Sequence, residues 1–320
     1  MILNITAETM LPAEKEALQS QKLQKLLQRI YEKTQFHQES MDALGLTPTA
    51  IQSIHDIAAL PFMTPNDVSN QYPFGLLTMP FSGISRFERS PNSHITVGLT
   101  TQDIIYQQEL IARSLVACSI TSTSSLLHLP ESTPSISARS LQQSAELLGV
   151  TVIAEQAGDP KSQLNTILDF GVTTLFATPA KLLAIALLVQ QQGMTARDLP
   201  LMNLLCETRH TSMILQKQLM EQFQLPIYTV YGHPDIMSLG IAGECYQQQG
   251  LHIHDDHFYP EIINPHTGAI QGDEQLGELV ITTLSREAAP LVRYRTGEMA
   301  MITHQHCSCG RTSPRITFGL

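Results

Sequence analysis

The sequence predicts an α/β protein: a mostly parallel sheet wrapped by helices, followed by a compact antiparallel meander or small β-barrel. Between about residues 101 and 231, helical periodicity alternates with short β-branched runs. That alternation implies right-handed crossovers and parallel strands. After about Gly240 the helices stop, and short strands joined by turns take over. The 320 residues, 42% hydrophobic and 15% charged, suffice for a sizeable core.

The elements follow in order. Leu23, Leu26, Leu27 and Ile30 recur at helical spacing among Lys, Gln and Glu, which predicts an N-terminal helix with one apolar stripe. Pro61, Pro65, Pro73 and Pro80 punctuate a loop-rich stretch. Helices are predicted over 104–118, 138–148 and 163–170, with strands over 150–154 and 172–177. Thr178-Pro179 supplies an N-cap and a first-turn proline for a helix ending near Gly193. A helix over 213–223 leads into a strand over 227–231. Beyond it, strands are expected over 260–263, 277–284 and 290–294, joined by turns such as Asn264-Pro265-His266-Thr267-Gly268. The expected division is an α/β body over 1–240 and a barrel-like unit over 241–320. No internal repeat is visible.

A net charge of −10 argues against a nucleic-acid backbone as the main partner. The N-terminus has no basic start followed by an apolar run, and the longest apolar run, 182–189, is of helix-core length. No membrane span and a cytoplasmic location are expected. Five cysteines, an odd number in a chain this large, predict no disulfides. There is no G-x-S-x-G, G-x-G-x-x-G or H-E-x-x-H motif. Cys118 and Cys206 are expected in the core, His94 in an exposed loop, and no residue is assigned a catalytic role.

The strongest chemical signal lies near the C-terminus. Cys245, His252, Cys307 and Cys309 provide the Cys3His set that tetrahedral zinc prefers, and Gly310 allows the tight turn that faces two sulfurs to one ion. Four protein ligands leave no open position, so such a zinc would be structural. On spacing alone, small buried cysteines beside an ordinary turn fit as well. A second cluster, His252, His254, Asp255, Asp256 and His257, offers an open metal site. The favoured expectation is a polar turn whose first histidine serves the zinc, the remainder being solvated or structural.

Longer motifs carry a family resemblance. Gly243-Glu244-Cys245, Gly250-Leu251-His252-Ile253, Asp256-His257-Phe258-Tyr259-Pro260-Glu261, Gly277-Glu278-Leu279-Val280, Arg293-Tyr294-Arg295-Thr296-Gly297 and Cys307-Ser308-Cys309-Gly310-Arg311 occur in order. With Leu60-Pro61-Phe62-Met63-Thr64 and Tyr72-Pro73-Phe74-Gly75-Leu76-Leu77 upstream, nearly the whole chain resembles phenylacetate-CoA ligases. The resemblance implies the N-terminal body of an adenylate-forming ligase beside a small barrel. It also implies a structural zinc site on the four residues above. Such ligases join a carboxylic acid to ATP and pass the acyl group from AMP to the CoA thiol.

The same resemblance exposes departures. Where the family carries a glycine-rich phosphate loop ending in lysine, this chain has Arg89-Ser90-Pro91-Asn92-Ser93-His94-Ile95-Thr96, with no glycine and a proline where backbone donors are needed. The magnesium motif survives as Tyr231-Gly232-His233-Pro234-Asp235, with aspartate for glutamate. Leu205-Cys206-Glu207 stands for a smaller Gly-Ala-Glu at the adenine and acyl pocket. Glu298 stands for the ribose-binding aspartate, and His128-Leu129-Pro130-Glu131-Ser132-Thr133-Pro134 replaces a glycine-rich pocket strand. The sequence stops at Phe318-Gly319-Leu320, where the family's hinge begins, so the mobile lid domain and its lysine are expected to be absent.

Glu207, Tyr231, Gly232, Asp235 and Glu298 are therefore expected as a vestigial nucleotide site. Zinc is the expected cofactor; ATP, AMP and magnesium are not. The expected function is that of an accessory protein in an acyl or aromatic pathway, docking an acyl carrier protein or a pathway enzyme. The alternative is a working carboxylic acid adenylating enzyme or acyl-CoA ligase with a phenylacetate-like substrate, completed by another chain. A homodimer follows from family habit.

Overall fold

A computed structural model describes residues 1–89, 95–129, 136–154, 158–207 and 212–319. The chain opens with four helices: α1 (Ile5–Glu8), α2 (Pro12–Lys33), α3 (Gln35–Asp42) and α4 (Pro65–Asn70). The stripe predicted on α2 is its core face: Leu23, Leu26, Leu27 and Ile30 are all buried. Helix α4 begins at Thr64, whose hydroxyl accepts from the Asp67 amide, with Pro65 in the first turn. Strands β1 (Arg86–Arg89) and β2 (Thr96–Leu99) then form a small antiparallel sheet of their own.

The alternating segment comprises α5 (Thr101–Ala117), β3 (Ser125–His128), α6 (Ile136–Leu147), β4 (Thr151–Ile153), α7 (Pro160–Asp169), β5 (Thr174–Phe176), α8 (Pro179–Gln191), β6 (Asn203–Glu207), α9 (Met213–Phe223) and β7 (Ile227–His233). Antiparallel strands follow: β8 (Met237–Glu244), β9 (Leu251–Ile253), β10 (Phe258–Ile263), β11 (Gly277–Thr283), β12 (Tyr294–Thr303) and β13 (Arg315–Phe318). The predicted helices and the strands of the alternating segment fall within a few residues of these bounds. Strands β3 and β6 escaped prediction. Leu127, Leu204 and Cys206 face one core while Leu126 and Leu205 face the other, so these short strands are apolar on both faces and lack alternation.

All strands after β2 belong to one eleven-stranded sheet, ordered β10-β11-β12-β13-β9-β8-β7-β6-β5-β3-β4. Pairing is parallel from β4 to β7 and antiparallel from β7 to β10. The expected meander is present as β10 to β13. It is the continuation of the parallel sheet rather than a barrel closed on itself, because β8 and β9 bridge it to β7. Helices α7, α8 and α9 cover one face of the parallel half, and α5 and α6 cover the other. A third core joins α2, the loop-rich segment and the antiparallel strands.

One predicted strand is corrected. The run expected over 290–294 is not a strand; β12 starts at Tyr294. Arg293 has φ 47, which breaks the extended run, and its guanidinium is held by the Glu261 carboxylate and the carbonyls of Ala58 and Leu60. Met63 bridges this point, its amide donating to the Arg293 carbonyl and its carbonyl accepting from Arg295. A buried ion pair decides the backbone here, and no local propensity announces it.

His37 on α3 is buried, with Nδ1 2.7 Å from the Thr34 hydroxyl. Burial lowers its pKa from 6.5 to about 4. A depressed histidine contributes stability that is full above the unfolded value and lost as pH falls toward the folded one. His37 should therefore cost up to ~3 kcal/mol of unfolding free energy between about pH 6.5 and 4. Urea titrations across that range should show His37→Leu with a shallower loss than the parent.

Candidate functional site

Cys245 follows β8, His252 lies in β9, and Cys307 and Cys309 lie in the turn between β12 and β13. Strand β9 pairs with β8 through Gly243↔His252 and with β13 through Arg315↔His252, which gathers the three segments. Gly310, at φ 90, donates its amide to the Cys307 carbonyl and closes the turn. All four side chains are buried, and their ligand atoms lie within 4.8 Å of one another.

The spacing fits a tetrahedral ion. Metal–sulfur bonds of ~2.3 Å and metal–nitrogen bonds of ~2.0 Å imply S···S edges of about 3.8 Å and S···N edges of about 3.5 Å. Cys245 Sγ and Cys307 Sγ are 3.8 Å apart, and Cys309 Sγ is 3.4 Å from His252 Nε2. His252 Nδ1 lies 3.2 Å from the Ser313 hydroxyl and 3.3 Å from its carbonyl, a partner that fixes the ring and directs Nε2 toward the sulfurs. The Cys245 hydrogen bond holds the Cys309 thiol well below its ordinary range, aided by His252, while the same contact, followed by burial, pushes Cys245 up. Three cysteine sulfurs and an imidazole nitrogen converging in a buried site are the donor set that a soft divalent cation takes. The four residues form a cluster that can hold one metal ion.

The rival acidic cluster resolves differently. His254, Asp255, Asp256 and His257 are all buried, not solvated. Asp255 pairs with Lys15 at 3.0 Å, and Asp256 receives both Arg113 bonds at 3.0 and 2.9 Å. Gln19 and Lys22 donate to the carbonyls of Asp255 and Asp256. These groups fasten α2 and α5 to the loop after β9. The polar turn expected from the sequence is structural.

Among the residues expected from the sequence at a nucleotide site, Glu207 ends β6, Tyr231 and Gly232 lie near the end of β7, Asp235 sits in the following turn, and Glu298 lies in β12. They cluster where the sheet changes from parallel to antiparallel. The Tyr231 hydroxyl bonds Glu298 at 2.5 Å, the Tyr294 hydroxyl donates to Asp235 at 2.6 Å, and Ser137 donates to Glu207. Tyr294, Ser137 and His233, whose ring is 3.8 Å from the Asp235 carboxylate, were not singled out as site residues from the sequence. Tyr294 and His233 stood inside quoted motifs, but the hydroxyl partner of Tyr294, Asp235 in the turn between β7 and β8, lies far away in the chain. Leu205 and Cys206 are fully buried in opposite cores. Ser90 to His94 of the shortened loop, and residues 130–134 of the replaced pocket strand, lie outside the described residues. No helix is long and apolar enough to cross a membrane among the described residues.

No family model matches the chain. Solved structures define the class. A 2-hydroxyisobutyryl-CoA ligase, solved with 2-HIB-AMP and CoA, superposes with a TM-score of 0.88 at 20% identity, over 97% of this chain and 70% of that one. The architecture is therefore that of the adenylate-forming CoA ligases. Among curated relatives, the phenylacetate-coenzyme A ligase of Thermus thermophilus is 32% identical over 311 residues, covering 96% of this chain and 70% of the relative. That of Escherichia coli K12 is 31% identical over 304 residues, covering 92% and 69%. The chain belongs to the phenylacetate-coenzyme A ligase family.

Elemental analysis of the purified chain should find about one metal ion per molecule, the closed stoichiometry of a four-ligand site. Cys309→Ser should lose that ion and at least ~3 kcal/mol of unfolding free energy. A metal-free parent of unchanged stability would contradict the cluster's role.

Proposed function

We propose that this family member lacks full ATP-dependent ligase activity and serves as an accessory protein in a pathway of CoA- or carrier-bound acyl groups. The observation that carries this reading is the engagement of the carboxylates at the family's nucleotide positions. Glu298 is bonded by Tyr231, Asp235 by Tyr294 and Glu207 by Ser137, so nucleotide or magnesium would have to compete with these contacts. The phosphate-loop sequence supports it, since a glycine-free stretch containing Pro91 is poorly suited to wrapping a triphosphate with backbone amides. The candidate partner is an acyl carrier protein or a pathway enzyme, which rests on the family's chemistry and on fold analogy.

A second reading keeps carboxylic acid adenylation, with a phenylacetate-like acid as substrate. It is favoured by the position of Glu207, Tyr231 and Asp235 at or just past the carboxyl ends of the parallel strands β6 and β7, the end of an α/β sheet where ligands bind.

The bound metal is proposed to be zinc in a structural role, since a closed Cys3His set leaves no position for substrate. The chain's own contribution is to tie β13 back to β8 and β9.

Calorimetry with ATP or AMP and magnesium separates the two readings. No heat of binding is expected up to millimolar nucleotide, and no exchange of pyrophosphate into ATP with phenylacetate. Binding at about micromolar dissociation constant, near 8 kcal/mol, would overturn the accessory reading in favour of adenylation.

A further inference from the structure

A cavity of about 510 Å³ opens between the C-terminal ends of α8 and α9, beside the amino ends of strands β6 and β7. Glu207 and Tyr231 lie toward the opposite, carboxyl ends of those strands. With five residues in β6 at ~3.3 Å each, about 17 Å of sheet separates the two places. Helix α8 closes in a turn at Gly193, φ 71, whose amide donates to the Gln190 carbonyl while the Met194 amide donates to that of Val189. The chain then crosses to Leu199, which tucks back into the core. Helix α9 ends at Gln224, held in the left-handed conformation at φ 52. Glycine is the usual residue at such a cap, but the glutamine supplies a side chain whose Oε1 accepts from Arg197 Nε at 3.0 Å.

The floor and rim of this cavity differ in chemistry. Ala186, Val189, Leu199 and Phe223 form the floor; all four are buried and belong to the core beneath α8 and α9. Gln190, Arg197 and Gln224 stand at the exposed rim. Arg197 is bonded through Nε alone, so its two terminal nitrogens have no protein partner among the described residues. Its acidic neighbour Asp198 is turned away from the wall, its carboxylate accepting from the Thr195 amide and hydroxyl at 2.7 and 2.8 Å. Among the described residues, no carboxylate lines the cavity. A guanidinium steadied at one nitrogen and open at two others matches the fork of a carboxylate.

We propose that this cavity binds an amphipathic monocarboxylic acid, its carboxylate taken by the terminal nitrogens of Arg197 and its apolar body laid on Ala186, Val189, Leu199 and Phe223. The volume lies within the range of small-molecule sites, and an apolar floor with few polar groups at the mouth is their usual composition. Two helix C-termini converge here, and their partial negative charge leaves room for one anionic group beside the arginine but repels a second. Phosphates and dicarboxylates are therefore disfavoured. The site stands apart from the metal cluster, and it holds whether or not the chain binds nucleotide.

The chain contains no tryptophan, so Gln190→Trp places a single indole at the rim. Titrated with octanoate and separately with phenylacetate, its emission should change saturably for at least one of them, and the preferred acid tells whether the body is aliphatic or aromatic. The dissociation constant should be on the order of 0.1–1 mM, the range open to so small a ligand, and calorimetry on the parent should return the same value. Arg197→Gln, at an exposed position where circular dichroism should confirm the fold, should weaken the acid about tenfold or more, and uncharged octanamide should bind the parent about tenfold more weakly than octanoate. Gln224→Gly suits the left-handed cap, so it should keep the fold yet weaken the acid severalfold by releasing the guanidinium. Failure of both acids to saturate by about 10 mM, an affinity that Arg197→Gln leaves unchanged, or octanamide matching octanoate overturns the proposal.

Discussion

The close approach of β7 and β8 is the constraint on which the molecule depends. At Gly232 a Cβ would lie 2.2 Å from the Ser238 carbonyl oxygen, so no other residue fits there without moving backbone. The register shifts between Tyr231 and His233 at this point, and the sheet turns from parallel to antiparallel. Because β7 and β8 pair so tightly, the crossover half and the meander share one ladder. The cysteine–histidine cluster lies at the far end of β8, while Asp235 and its tyrosine partner lie at the near end. One strand therefore spaces the two sites.

A second layer of organisation comes from buried charge. The N-terminal helix α2 is not held by its apolar stripe alone. Lys15, Gln19 and Lys22 reach the loop after β9, and Arg113 of α5 meets the same loop at Asp256. Glu8 binds Arg311 beside Cys309, so the first helix touches the turn that carries two of the four sulfur and nitrogen ligands. Buried ion pairs of this kind add little net stability over apolar packing, but breaking one partner leaves a charge stranded. They fix which surfaces meet, and here they fix the chain's beginning against its end.

The two sites have fared differently. The cysteine and histidine cluster has the donor types, distances and oriented imidazole of a working metal site. Glu207, Asp235 and Glu298 are instead tied to hydroxyls of the same chain.

Much of the fold was legible in the sequence. The stripe on α2, the proline that opens α8 after Thr178, the helix over Met213–Phe223 and the strand–helix alternation depend on neighbours a few residues away. The cysteine–histidine cluster was named from the sequence as well, although spacing alone left small buried cysteines as an equal reading and only the fold shows the four side chains converging. What the sequence could not convey was the partner of each polar group. Asp255 and Asp256 read equally as a solvated loop or a metal site until Lys15 and Arg113, far away in the chain, were seen to meet them. Tyr294 bonding Asp235, Arg293 ending an extended run and the merging of meander and parallel sheet have the same origin. Local periodicity is set by backbone geometry and survives in the sequence alone, whereas the pairing of buried charges and the joining of strand edges are long-range choices made only when the whole sheet assembles.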